Sequence, residues 1–264
     1  MAQALPTNDL ERIQGQLAGQ TRAAIGEYAA CVATAMLGGD RDGNVEKACI
    51  QKLADTLAVL AAAADVVGRA RAMREAGQAP DVLERARRFC EHGAIHFAAP
   101  PTGAEINGLP LPTISGLGFD QALDALVRAI PELAQSQAEI REVYRQAGFA
   151  LVKSTDLAVT QQVQALIARR LRDGESKPTT KEAIQALDAN FTPAYAETVV
   201  RNATNRAYAA GRLRQAATLP EVAGVEYMAI PDASARPNHL ALDGLVARLD
   251  DPILNRISPP NGHG

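Results

Sequence analysis

The stretch that decides the fold lies at the end of the chain, where residues 232–264 read DASARPNHLALDGLVARLDDPILNRISPPNGHG. Pro237 suits the first position of a helix because its missing N–H would have no partner there, and Gly244 can adopt the left-handed conformation that ends a helix. Asp251 followed by Pro252 predicts a second helix start, with the Asp251 carboxylate as its cap. The stretch therefore predicts two short helices in a compact polar unit.

Four titratable side chains occur in this stretch. His239 and Asp243 are four residues apart, so on one helix their side chains would meet on the same face. With Asp232 and His263 they form a set that we expect to converge. Such a set could hold a metal ion with an open position for water, or it could brace the unit through an imidazole–carboxylate contact. We expect bracing, because a general base also needs a cleft and a partner group, and the sequence shows neither.

Short strands are predicted on both sides of this polar unit. Residues 225–230 and 245–248 contain β-branched and other apolar residues in short runs, which is typical of strands. The pattern predicts a small sheet whose connection contains His239 and Asp243.

The rest of the chain has the composition of a helical protein. Aromatic residues make up 4% of the sequence, Trp is absent, and Ala, Leu and Val dominate. The first two predicted helices form a long hairpin, which either packs within the fold or projects as an arm onto a neighbouring subunit. We therefore predict an α+β protein that is mainly α. Apolar residues at helical spacing place its helices at about 8–37, 45–76, 80–91, 119–130, 132–147, 154–171, 180–187 and 192–217.

Residues 98–118 are rich in Pro and Gly and interrupt the helical pattern. Their Leu and Ile residues are too apolar for a disordered spacer, so the segment predicts an ordered strap or linker. This divides the chain into an N-terminal helical region at 1–97, the strap, and a C-terminal domain at 119–264.

Charge and cysteine content exclude several classes of protein. The net charge is −3, although residues 141–214 hold twelve Lys and Arg against seven Asp and Glu. This excess of five predicts either a solvated surface or a contact with DNA. Neither a signal peptide nor a membrane span is predicted. The three cysteines fit neither a disulfide framework nor a metal knuckle, so we expect buried thiols in a reducing compartment: Cys31, Cys49 and Cys90.

His92 and His96 are spaced so that a helix could present both to a metal ion. Gly93 and the Pro residues that follow argue against a helix there, and a metal site needs three or four ligands. We therefore expect no metal at this pair.

Four sequence blocks, in matching order and spacing, resemble the phage Mu F-like minor head proteins, also called the MuF or phage head morphogenesis family. One lies on the last long helix, and the others are residues 236–246, 250–252 and 259–262, with weaker similarity back to about Phe149. No Cys-x-x-Cys stands near residues 236–239, so no Cys-based zinc site is implied. The resemblance implies a structural role for Arg201, Asn205, Arg206, Tyr208, Gly211, Arg212, Asp232, Arg236, His239, Asp243, Gly244, Asp251, Pro252, Pro259, Pro260, Asn261 and Gly262.

The resemblance also implies a function. It points to a minor capsid protein of a tailed phage or prophage, a virion component inside the capsid near the portal vertex that is in the host cytoplasm during assembly. Its expected roles are head assembly and DNA packaging or ejection. Expected partners are the portal protein, other internal head proteins and packaged DNA, with no membrane. We expect no enzymatic activity and no cofactor.

Two alternatives remain open at this point. One is a MuF-type delivery module of a phage-borne toxin, which would need a catalytic domain after Gly264. The other is a metal-dependent hydrolase that uses His239, Asp243 and His263.

Overall fold

The structure is a computed structural model that describes residues 7–37, 45, 47–92, 105–106, 109–110, 119–229 and 237–257. It is mainly helical with a small antiparallel sheet near the C-terminus, as the sequence predicts. Its elements are α1 (Thr7–Leu37), α2 (Lys47–Glu75), α3 (Val82–His92), β1 (Glu105–Ile106), β2 (Leu109–Pro110), α4 (Phe119–Ala129), a 3-10 helix (Pro131–Ser136), α5 (Gln137–Arg172), α6 (Thr180–Asn190), α7 (Thr192–Ala216), β3 (Gly224–Glu226), α8 (Pro237–Leu240), β4 (Val246–Arg248) and α9 (Leu254–Ile257).

Helix α2 lies at the centre of the fold. Every residue from 60 to 73 is buried, because α1, α3, α5 and α7 all pack around this helix. The run of four alanines at 61–64 has small side chains that let the neighbouring helices approach. The hairpin of α1 and α2 therefore packs within the fold, and the interpretation of this hairpin as a projecting arm is wrong.

A disulfide between Cys31 and Cys49 joins the two helices of the hairpin near their turn. The Cα atoms are 6.8 Å apart, and an ion pair between Glu27 and Lys52 lies one turn further along. The prediction of free thiols at Cys31 and Cys49 is therefore wrong. In an antiparallel hairpin, residues equally distant from the turn lie opposite each other, which brings together cysteines 18 positions apart in sequence. The Cys90 side chain lies outside the described residues.

Helix α5 is one continuous helix of 36 residues, where the sequence predicts two helices at 132–147 and 154–171. The second start was predicted at Ser154 and Thr155, as helix caps. In the structure both hydroxyls donate to the carbonyl oxygen of Leu151 at 2.8 Å, within the helix. Such bonding to an earlier turn satisfies the hydroxyls inside a helix, so these residues do not begin one. The predicted bend at Pro131 is present as the 3-10 helix.

One hydrophobic cluster includes residues of α1 through α7, on both sides of residues 98–118. The division of the chain at 97 and 118 stays a prediction, and helices from both parts share this core. Within the strap, β1 and β2 pair antiparallel, with Glu105 opposite Pro110. Among the described helices, none combines the length and apolarity that crossing a bilayer requires. His96 lies outside the described residues, as does the side chain of His92.

Candidate functional site

Helix α7 carries the first block of motif residues. Pro193 stands in its first turn, where the missing N–H leaves no bond unmade. Small and β-branched residues recur every three or four positions on the side that faces α1 and α2. The buried set is Thr192, Ala196, Val199, Val200, Ala203, Thr204, Ala207, Tyr208, Gly211 and Ala216.

Two glycines allow α2 and α7 to cross in close contact. A Cβ atom on Gly68 of α2 would overlap the carbonyl oxygen of Tyr208, and one on Gly211 would overlap the carbonyl oxygen of Asp65. Real Cβ atoms essentially never lie within 3.0 Å of a backbone atom, so both positions need the hydrogen of glycine. The motif residue Gly211 therefore has a packing role.

Two further motif residues form hydrogen bonds between α7 and the N-terminal helices. Arg212 donates to Glu75 of α2 at 2.7 Å, and its guanidinium lies 5.9 Å from the ring centroid of buried Tyr208. The side-chain oxygen of Asn205 accepts a hydrogen bond from Gln14 of α1 at 3.0 Å. Their partners come from helices that are distant in sequence, which no local pattern reveals.

The remaining two motif cations are turned to solvent. Arg201 and Arg206 are exposed on α7, and their side chains have no ion pair or hydrogen bond with another described residue. Within the described part of the chain, these two residues are therefore the part of the α7 motif that is open to contact with another molecule.

A buried charge cluster lies beside the α2–α7 crossing. The fully buried carboxylate of Asp65 accepts from Nε of Arg69 at 2.8 Å and pairs with Arg214 of α7. Arg214 also donates to the hydroxyl of Tyr144 on α5 at 2.6 Å. Burial and the nearby Asp65 carboxylate raise the pKa of the Tyr144 phenol far above its ordinary value. Burial alone would lower the pKa of Arg214, but Asp65 and Tyr144 raise it.

No pattern considered in the sequence predicted this cluster. The available signal was the spacing of Asp65 and Arg69, four residues apart inside an Ala-rich helix, which is the spacing of an intrahelical ion pair. The third member, Arg214, comes from a helix about 150 residues away and needed the tertiary structure.

The C-terminal unit is built on the pairing of β3 with β4. The strands are antiparallel, with Val225 opposite Ala247. The ladder continues past the strands, because the Tyr227 amide donates to the carbonyl of Leu245 at 2.8 Å and the Gly244 amide donates to the carbonyl of Tyr227 at 2.9 Å. Gly244 has φ +76°, which is the left-handed conformation predicted for it.

His239 and Asp243 brace this sheet through different partners. Helix α8 is a single turn that ends at Leu240. Asp243 therefore lies in the turn that follows, and the prediction that it shares a helix with His239 is wrong. A hydrogen bond of 2.7 Å joins Nδ1 of His239 to the hydroxyl of Tyr227, and Oδ1 of Asp243 accepts from the Ala229 amide at 2.9 Å. Burial raises the pKa of the Tyr227 phenol. Both side chains thus hold the segment 227–229 against the α8 turn.

The second predicted helix start is present. Oδ1 of Asp251 accepts from the amide of Ile253 at 2.9 Å, just before α9. The hydrogen bond and ion pair with Arg248 lower the pKa of Asp250. Seven predicted site residues lie outside the described residues: Asp232, Arg236, Pro259, Pro260, Asn261, Gly262 and His263.

Within the described part of the chain, no three His, Cys, Asp or Glu side chains are grouped so that they could hold a metal ion. His263 is not described, so the candidate metal set of His239, Asp243 and His263 stays a prediction. The described contacts give His239 and Asp243 a bracing role that needs no metal.

The positive charge of residues 141–214 is balanced in the folded chain by carboxylates from outside that segment. Four of its arginines form ion pairs with α2 and α4, which a count along the sequence does not show. DNA contact by this segment stays a prediction. The pairs join Arg141 to Asp120 and Asp124, Arg145 to Asp120, Arg212 to Glu75, and Arg214 to Asp65.

Comparison with protein-family models gives a match over the C-terminal part of the chain. Residues 161–264, somewhat less than half of the chain, match the family described as Phage Mu protein F like protein. The matched range contains α7 with its motif residues and the whole C-terminal unit. Neither a curated protein nor a solved structure matches the chain. Residues 161–264 are therefore similar to the phage Mu protein F-like family, and this match supports a phage head morphogenesis protein.

Proposed function

We propose that the protein is a minor head protein that binds the portal during head assembly and remains inside the capsid near the portal vertex. The observation that carries this proposal is the family match over residues 161–264. The proposed role is structural and without catalysis. The described contacts of His239 and Asp243, which brace the sheet, support a structural role for the C-terminal unit.

The exposed side of α7 is the proposed contact surface. Arg201, Asn202 and Arg206 are all exposed there, and Arg201 and Arg206 belong to the family-like block. The opposite side of the same helix is buried against α1 and α2, so the helix is held firmly while its cations face outward. A rigid helix whose two guanidinium groups have no ion-pair partner among the described residues suits a partner surface with carboxylates, because guanidinium and carboxylate form paired hydrogen bonds.

Co-purification with the portal encoded by the neighbouring gene tests the proposal. Wild-type protein should be captured by tagged portal, and imaging of the complex should place it at the vertex. The double variant Arg201→Glu/Arg206→Glu should lose most of this capture, since it reverses the two exposed positive charges on α7.

The matched control is Lys177→Glu/Lys181→Glu. It makes the same change of net charge at exposed residues at the start of α6, and it should be captured like wild type. Circular dichroism should show unchanged helix content in both variants. Absence of wild-type capture by the portal would contradict the proposed function, and equal capture of both double variants would contradict the proposed surface.

A further inference from the structure

The bond between Cys31 and Cys49 lies at the less tightly packed end of the α1–α2 hairpin. Both cysteines are partly buried, as are their neighbours Met36, Val45 and Ile50. Further from the turn, the two helices pack through side chains that are 3% exposed or less: Ile25, Tyr28, Leu53 and Leu57. Small molecules in solution can therefore reach the bond, and the hairpin has a core that does not depend on it.

The two cysteines lie at opposite ends of their helices. Cys49 is the third residue of α2, and Cys31 lies in the second-to-last turn of α1. The first turn of a helix has unpaired N–H groups and a partial positive charge, which favour a thiolate over a thiol, whereas the C-terminal end has the opposite charge. Glu27 and Lys52, one turn away from the cysteines, pair with each other and add little net charge. Of the two sulfur atoms, that of Cys49 is therefore the better thiolate.

A stabilised thiolate makes the bond easier to reduce. The better thiolate is the better leaving group when a disulfide opens, and its stabilisation favours the dithiol state at equilibrium. The fold acts in the opposite direction, because a bond that stabilises the folded chain is itself stabilised by folding to the same extent. Partly buried surroundings hold the two sulfur atoms less firmly than a closed core would. Together these effects predict a bond that responds to the thiol–disulfide balance around the protein.

We propose that Cys31 and Cys49 form a redox switch, which is a dithiol in a reducing compartment and a disulfide in an oxidising one. To close it, the Cys49 thiolate attacks a small-molecule disulfide such as oxidised glutathione, and one glutathione leaves as its thiolate. The Cys31 thiol then loses its proton to solvent, and its sulfur displaces the second glutathione from Cys49. Two cysteine thiols are thereby oxidised, and one glutathione disulfide is reduced to two thiols. Reduction follows the same steps in reverse.

Closing the switch ties the end of α1 to the start of α2. Helix α1 also packs on α6 and α7, so the bond restrains a helix that supports the family-like motif. The dithiol form keeps the core of the hairpin and should keep its helix content. In a virion, as proposed above, the bond would form once the particle has left the reducing cytoplasm. That consequence, unlike the switch itself, rests on the proposed function.

Alkylation of the full-length Cys90→Ala variant in glutathione buffers tests the switch, because only Cys31 and Cys49 can then react. Mass spectrometry counts the alkylated cysteines. The dithiol should predominate at the thiol–disulfide balance of a cytoplasm, and the disulfide at that of an oxidising compartment. A disulfide that persists in the cytoplasmic buffer overturns the proposal, because the bond is then permanent. A dithiol that persists in the oxidising buffer overturns it as well.

Single variants in the same Cys90→Ala background test which sulfur attacks first. Cys31→Ser leaves Cys49 as the reactive thiol, and Cys49→Ser leaves Cys31. At neutral pH, Cys31→Ser should form the mixed disulfide with oxidised glutathione several times faster than Cys49→Ser, because more of its thiol is ionised. Equal rates, or a faster reaction at Cys31, overturn the assignment of Cys49 as the attacking sulfur.

Hydrogen exchange compares the dithiol and disulfide forms of the Cys90→Ala variant. Amides of residues 31–37 and 51–54 should exchange about tenfold more slowly in the disulfide form, because the bond opposes local opening at this end of the hairpin. Amides of β3 and β4, which pair with each other, serve as the control and should be the same in both forms. Equal exchange at the hairpin end, or a loss of helix content on reduction, overturns the proposal. These tests use the isolated protein, so their outcome is independent of portal binding.

Discussion

Gly211 of α7 lies so close to Asp65 of α2 that a Cβ atom at Gly211 would be 2.6 Å from the Asp65 carboxylate oxygen. Gly211, which belongs to the family-like motif, thus packs against the fully buried carboxylate of Asp65 on the central helix α2. Helix α2 lies before residue 161, where the family match begins. The packing of the matched region and the packing of the N-terminal helices therefore depend on each other where α7 crosses α2.

The first prediction concerns Gly211→Ala. The added methyl group must push α7 away from α2, so the free energy of unfolding should fall by about 1 to 3 kcal/mol, as is usual for overpacking. The control is Gly19→Ala on α1, where a Cβ meets nothing within 4 Å. That change should stabilise the protein by about 0.5 to 1 kcal/mol because alanine restricts the unfolded chain. Urea denaturation measures both, and the same sign for the two variants would contradict the close crossing.

A second prediction follows from the buried charges. Asp65→Asn removes the carboxylate that Arg69 and Arg214 share, so the free energy of unfolding should fall by about 3 to 5 kcal/mol because buried cations lose their partner. Glu27→Gln breaks the solvent-exposed pair with Lys52 and should cost less than about 1 kcal/mol. Denaturant titration compares the two variants. Equal, small losses would show that Asp65 does not hold the cluster together.

The third prediction concerns alkaline pH. The folded state raises the pKa of Tyr144 above its ordinary value of 10.0, so the folded protein keeps the phenolic proton more tightly than the unfolded chain does. This stabilisation is complete below about pH 10 and decreases as the pH rises above it. In Tyr144→Phe, the free energy of unfolding should fall less steeply between pH 9 and pH 11 than in wild type. Equal slopes would contradict the assignment.

The fourth prediction concerns the disulfide. The loop between Cys31 and Cys49 spans 18 residues, and closing a loop of this size stabilises a protein by about 3 kcal/mol. Reductant should therefore lower the melting temperature of wild type and leave that of Cys31→Ser/Cys49→Ser unchanged. Mass spectrometry should find two more alkylated cysteines after reduction than before it. Full alkylation of the untreated protein would rule out the bond.

A fifth prediction tests the bracing role of Asp243. Asp243→Ala removes the acceptor of the Ala229 amide, so hydrogen exchange at that amide should become about tenfold faster, which corresponds to the roughly 1.4 kcal/mol of one such bond. Asp243→Asn keeps a carbonyl oxygen at the same place and should retain most of the protection. Exchange that is unchanged in Asp243→Ala would mean that another group holds this segment.

The sequence alone determined the local features of this protein. Helix periodicity, the left-handed Gly244, the Asp251 cap and the two strands around the α8 turn all depend on neighbouring residues, and all are present. The family-like blocks could be recognised for the same reason, since each is a short run of residues.

Only the tertiary structure decided which helices meet, because packing joins residues that the sequence separates widely. It placed Arg212 on Glu75, gathered Arg214 and Tyr144 around Asp65, and joined Cys31 to Cys49. It also decided that Ser154 and Thr155 continue α5, since a hydroxyl can cap a helix or bond to its previous turn with little difference in local energy. Packing against α2 favours the continuous helix, and no short-range pattern contains that information.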